Sequence, residues 1–253
     1  MTYETILLDI KDHIATITLN RPEVRNAINL TMVRELHDVL GALAQDKQVG
    51  VLIFTGAGGK AFAAGADIGD LLARKRKEAL QGINQKLFQR IEDFPWPTIA
   101  AINGYAIGGA CELAIACDLR IAGESAKMGV PEVSLGIIPA AGALYRLPQL
   151  IGLGLTKELV FTGRLVEAQE AHRMGLVNRV VPDKDVLVEA KKLAQTILQQ
   201  GPLAIQMAKA AMNGINSGDR QAAHTIENLS QAILFESKDK HQRMTAFLSK
   251  KKG

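Results

Sequence analysis

Two runs constrain the fold most, "VGVLIFTG" (49–56) and "TIAAINGYA" (98–106). Each is almost wholly apolar, short, and followed by a glycine-bearing turn. A strand buried on both faces has this texture, whereas a half-exposed strand alternates. "ILLDI" and "IATITL" add two strands around the polar turn "KDH", and "LRIAG" adds another. Between them lie segments with helical spacing. "LTMVRELHDVLGALAQD" places Leu30, Val33, Leu36, Leu40 and Leu43 on one face. "AGGKAFAAGADIGDLLARKRKEAL" reads as a Gly/Ala loop leading into a helix. Strands and helices in alternation predict an α/β fold with buried strands. After "QQGP" the texture becomes helical throughout, so a core over 1–198 and a helical region over 199–253 are expected.

The remaining bulk features narrow the setting. Cys111 and Cys117 are six apart in one apolar run and point in different directions on a helix, so no disulfide is expected and a reducing compartment is. The N-terminus lacks a basic region followed by a long apolar one, so no signal peptide is expected and the cytoplasm is the default. No run approaches the ~20 apolar residues that span a bilayer. A net charge of +4 over 253 residues fits an anionic ligand but is weak support for nucleic acid. The basic run Arg74–Lys77 reads as a solvated helix face.

The chemistry concentrates in "INGYAIGGACELAIACD" (102–118), where one acid, Glu112, stands in a segment otherwise small or apolar. A second acid, Glu132, lies in the apolar "MGVPEVSLGIIPA". Either alone has an ordinary reading, a helix-start carboxylate for Glu112 and a salt-bridged loop acid for Glu132. Two small-residue turns change the balance. "AAGAD" (63–67) and "IGGACE" (107–112) each follow a buried strand and expose backbone N–H groups that no helix bond satisfies. If they converge, two amides grip one carbonyl oxygen as an oxyanion hole. Burial raises a carboxyl pKa toward neutrality, which suits proton transfer. Other chemistries lack support. The glycines of "GAGGKA" miss the phosphate-loop spacing, and "GYAIGGA" and "GLGLTK" miss the dinucleotide spacing. No G-x-S-x-G is present, and the five histidines lack ligand spacing, so no metal is expected.

Several stretches in order resemble the enoyl-CoA hydratase/isomerase (crotonase) family: "LNRPEVRNAIN", "KAFAAGADI", "PTIAAINGYAIGGACELAIACDLRIA", "MGVPEVSLGIIP", "TGRLVEAQEAHRMGLVNRVVP" and "MTAFLSKK". They span nearly the whole chain. The resemblance implies a crotonase-like spiral of ββα units with a C-terminal helical trimerisation region, assembled as a homotrimer or homohexamer. It implies an acyl-CoA substrate, with coenzyme A part of that substrate and no separate cofactor. It places the oxyanion-hole amides at Ala66 and Gly109, and the two hydratase glutamates at Glu112 and Glu132. It places coenzyme A contacts at Arg25, Lys60 and Ala64 and, from a neighbouring subunit, at Phe247 and Lys250.

Two departures stand out. Gly69 stands where a lysine is common. Where hydratases commonly carry "GAGGTQRL", this chain reads Ala140-Ala141-Gly142-Ala143-Leu144-Tyr145-Arg146-Leu147. The added side chains are expected to reshape the acyl pocket, with Leu144 and Tyr145 lining it. The implied reaction is hydration of a 2-enoyl-CoA, because family isomerases often keep only the second glutamate. Isomerisation, decarboxylation, thioester hydrolysis and methylglutaconyl-CoA hydration are the alternatives inside the family. RNA binding through the Arg74–Lys77 cluster is the alternative outside it.

Overall fold

The computed structural model describes residues 3–215 and 220–250, without the side chains of 215, 220–224 and 247–250. The chain opens with a hairpin of β1 (Ile6–Lys11) and β2 (Ile14–Leu19). Its two-residue turn is Asp12-His13, both at positive φ (52° and 63°), the mirror-image turn whose twist matches paired strands. Helix α1 (Leu30–Gln45) follows, capped by the Asn29 side chain accepting from Met32 N at 2.9 Å. It buries Val33, Leu36, Leu40 and Leu43 as the spacing predicts, and Met32 and Val39 besides; Leu30, in the first turn, stays exposed.

Three times the chain then runs a longer strand and a very short one. The pairs are β3 (Val51–Gly56) with β4 (Ala61–Ala63), β5 (Thr98–Ile102) with β6 (Tyr105–Ile107), and β7 (Leu119–Gly123) with β8 (Lys127–Gly129). After the first pair come α2 (Ile68–Ala73), α3 (Arg76–Leu80) and α4 (Ile83–Glu92). After the second comes α5 (Gly109–Ala116). After the third comes α6 (Ala143–Thr162), kinked at Gly152. A last pair, β9 (Val166–Glu167) and β10 (Arg179–Val181), brackets α7 (Ala168–Arg173).

The members of each pair belong to different sheets. One sheet has the order β1-β2-β3-β5-β7-β10, the other β4-β6-β8-β9. Apart from β1 with β2 and β8 with β9, neighbouring strands are parallel. The result is the expected α/β spiral, each turn adding one strand to each sheet. β3 and β5, from the two most apolar runs, are strands buried on both faces. Leu52, Phe54, Ala100 and Ile102 join the main core. Val51, Ile53, Ile99 and Ala101 pack on the other side with Val186, Ala190 and Ala194 of α8 (Val186–Leu198).

Three local expectations are corrected. "TIAAINGYA" is two strands in two sheets, separated at Asn103-Gly104. The loop "AGGKAFA" contains β4. Arg74–Lys77 does not form one helix face, because α2 ends at Ala73 and α3 begins at Arg76.

Beyond Gly201 the described chain is helical: α9 (Pro202–Ile215), α10 (Arg220–Phe235) and α11 (Lys238–Lys250). Helix α9 is tied to the core through Lys209 Nζ, which donates at 2.7 Å to Oδ2 of Asp118, just before β7, and Asn213 Nδ2, which donates at 3.0 Å to the carbonyl of Glu92, the last residue of α4.

Candidate active site

The turn after β4 and the turn after β6 meet. Gly65 takes φ 101°, where a side chain is strained, and a β-carbon there would lie 2.8 Å from Ile107 O and 3.7 Å from Gly109 N. A β-carbon on Gly109 would lie 3.4 Å from Ala66 N. Among the described residues neither the Ala66 nor the Gly109 amide has an acceptor. Gly109 is the first residue of α5, so its N–H is one of the groups a helix leaves unpaired. Two free amides thus border one space, with the positive end of α5 beside it.

Earlier segments of the same chain fix the first turn. Asp67 N donates to Ile28 O at 2.9 Å, and Arg21 Nη1 donates to Asp67 Oδ2 at 3.2 Å. Asn26, fully buried, donates through Nδ2 to Ala57 O and Ala61 O at 3.0 and 2.9 Å. Its clamp role left no sequence signal beyond an asparagine in "RNAIN".

Glu112 sits in the first turn of α5 and is buried. Its carboxylate does not cap its own helix. Oε1 accepts from Ala141 N at 2.7 Å and Ala143 N at 3.1 Å, at the start of α6. Ala141 and Ala143 therefore reach Glu112 through backbone. Arg146, also buried, donates to Ala141 O at 3.1 Å and pairs with Glu92 Oε2 at 2.6 Å, which pins this turn. Burial raises the Glu112 pKa, opposed by the amides of Ala143 and Ala141 and the charge of Arg146.

Glu132 comes from the 3-10 turn Pro131–Leu135 after β8. Its Oε1 would lie 2.8 Å from a β-carbon on Gly108, the residue before the Gly109 amide. Its Oε2 is buried without a hydrogen-bond partner. Burial first, with a contribution from the Glu112 charge, raises its pKa to about 7. The two acids thus meet at the paired-amide turn in different environments, one anchored by two N–H groups and one with an unpaired oxygen.

The enoyl-CoA hydratase/isomerase family model matches residues 9–253. The chain belongs to the enoyl-CoA hydratase/isomerase family. It is 44% identical to the crotonyl-CoA hydratase of Syntrophomonas wolfei, over 100% of this chain and 98% of that one. It is 38% identical to the short-chain-enoyl-CoA hydratase of Clostridium acetobutylicum, over 100% of this chain and 97% of that one. The crystal structure of an enoyl-CoA hydratase from Bacillus anthracis superposes with a TM-score of 0.94 at 38% identity, covering 98% of this chain and 97% of that one.

The remaining positions implied by the family resemblance fall as follows. Arg25 and Ala64 are brought together, Ala64 N donating to Arg25 O at 2.9 Å, and the Arg25 side chain is exposed. Lys60 is exposed just before β4. Leu144 and Tyr145 are partly exposed, and Tyr145 turns to α4, its hydroxyl donating to Gln89 Oε1 at 3.3 Å. The side chains of Phe247 and Lys250 lie outside the described residues. No helix among the described residues is long and apolar enough to cross a membrane.

Proposed function

We propose that this hydratase adds water across the double bond of short 2-enoyl-CoA thioesters, giving 3-hydroxyacyl-CoA. The observation that carries the reading is the pair of unlike acids, buried Glu112 and half-buried Glu132, at the junction of two turns with free amides. Glu112, whose burial raises its pKa against the pull of two N–H groups on Oε1, acts in its ionised form and takes a proton from the water that attacks C3. Charge moves onto the thioester oxygen, where the Ala66 and Gly109 amides receive it. Glu132, with a pKa of about 7, holds a proton near neutrality and delivers it to C2. One proton leaves water and one reaches carbon, and exchange with solvent resets the pair. Coenzyme A arrives as part of the substrate, gripped by Arg25, Lys60 and Ala64, and the scheme uses no other cofactor. The names of the Syntrophomonas and Clostridium relatives favour a short acyl chain.

The protein works as a homotrimer, or a homohexamer built from trimers, through residues 199–253, with Phe247 and Lys250 reaching a neighbour's coenzyme A. Exposed Phe161, Met212, Leu229 and Ile233 support buried contacts between copies. Buried, unpaired Cys111 and Cys117 fit a reducing cytoplasm.

A panel of crotonyl-CoA, a 3-enoyl-CoA and a branched glutaconyl-type CoA tests the reaction. Fast loss of the conjugated enoyl absorbance with crotonyl-CoA is expected. Turnover confined to the 3-enoyl ester would make the protein an isomerase instead.

A further inference from the structure

Asn84 is a buried polar residue at the paired-amide turn that the hydration scheme leaves unused. It is the second residue of α4, in a stripe with Leu87, Phe88 and Ile91 that faces the core. It is 9% exposed, yet it occupies a position where the stripe calls for an apolar side chain. Its Oδ1 is buried without a partner. Its Nδ2 lies 3.8 Å from the point a β-carbon on Gly109 would occupy, and Ala66 N lies 3.4 Å from that same point. The Asn84 amide, the Ala66 N–H and the Gly109 N–H therefore border one space.

A buried, unpaired amide carbonyl weakens a fold, and a leucine of similar size would avoid it. Among the described residues, no hydrogen-bond partner on α4, α5 or elsewhere accounts for the buried Oδ1. On the hydratase reading, the space that Nδ2 borders with the Ala66 and Gly109 amides is where an acyl thioester oxygen would collect negative charge during hydration. A fixed donor that reaches such an oxygen stabilises the transition state more than the bound substrate.

We propose that the Asn84 side chain is a third donor of the oxyanion hole, its Nδ2–H reaching the thioester oxygen alongside the Ala66 and Gly109 amides. The inference rests on the hydratase reading for the position of that oxygen.

Two variants test it in the full-length protein: Asn84→Leu, which removes all polarity, and Asn84→Asp, which keeps the shape but removes the N–H. Two quantities are read. The first is kcat and KM for crotonyl-CoA. The second is the absorbance red shift of a conjugated enoyl-CoA on binding, measured in a Glu112→Gln/Glu132→Gln background so that turnover does not interfere; it reports polarisation of the thioester carbonyl. The expected result is a tenfold or larger loss of kcat in both variants, KM within about threefold of wild type, and a smaller red shift. The melting temperature of Asn84→Leu should hold or rise, since an unpaired buried carbonyl is gone. An unchanged red shift overturns the proposal, including when kcat and melting temperature fall together, for that pattern marks a packing role. If the wild-type protein hydrates no enoyl-CoA, the hydratase reading fails, and the red shift still decides the role of Asn84.

Discussion

Glu132 occupies the space that a side chain on Gly108 would need: a β-carbon there would lie 2.8 Å from its Oε1. Gly108 also takes φ 57° and ψ −126°, a conformation that side chains avoid. One glycine therefore sets the backbone that presents the Gly109 amide and leaves room for the acid beside it. Gly108→Ala is expected to strain the turn by about 1–3 kcal/mol and to displace the Glu132 carboxylate. Hydration should fall at least tenfold while the protein remains folded, as thermal unfolding beside steady-state kinetics will show.

The unlike environments of the two acids give a bell-shaped rate profile. Glu132 must be protonated to supply C2, so kcat should decline as pH rises through about 7. Glu112 must be ionised to accept a proton from water, so kcat should also decline on the acid side. A profile that keeps rising to pH 9 would remove Glu132 as the acid.

The same raised pKa makes a stability prediction. Between the ordinary carboxyl value of 4.5 and about 7, native Glu132 holds a proton that the unfolded chain has released. Its contribution to stability therefore falls as pH rises through that window, and the full penalty is present above pH 7. Glu132→Gln should raise the melting temperature more at pH 8 than at pH 5. An equal change at both values would mean that the carboxylate is not held in a desolvated site.

Arg146 joins the fold to the chemistry. It is buried, pairs with Glu92 at 2.6 Å, and holds Ala141 O at 3.1 Å, next to an amide that anchors Glu112. Arg146→Met leaves the half-buried Glu92 unpaired; losing one partner of a fully buried pair costs about 3–5 kcal/mol, and a smaller loss is expected here because Glu92 keeps some contact with water. A lower melting temperature and a lower kcat are both expected. Restoring stability with a compensating Glu92→Leu should recover the first more than the second, because the Ala141 turn stays loose.

Legibility in the sequence followed the length and periodicity of each element. The hairpin, α1 and the long buried strands were visible because five or more residues carried one pattern. The small sheet was not. β4, β6, β8 and β9 are two or three residues each, and such runs have no period to detect. The two turns around Ala66 and Gly109 could be picked out as small residues after strands, but that they abut is a product of the spiral. Glu112 was visible as a lone acid, whereas its partners Ala141 and Ala143 were hidden because they bond through backbone. Asn84 left a usable trace, an amide in line with Leu87, Phe88 and Ile91. Asn26 left none, since its work is to bond carbonyls more than thirty residues away.

The central claim is that two unlike acids divide the proton transfers of hydration. Its most direct test is the rate of crotonyl-CoA hydration by wild type, Glu112→Gln and Glu132→Gln, with acyl-CoA binding measured on the same preparations. Each glutamine variant should lose about 10²–10⁴-fold in kcat while binding acyl-CoA within a few-fold of wild type. Near-wild-type hydration in either variant would contradict it.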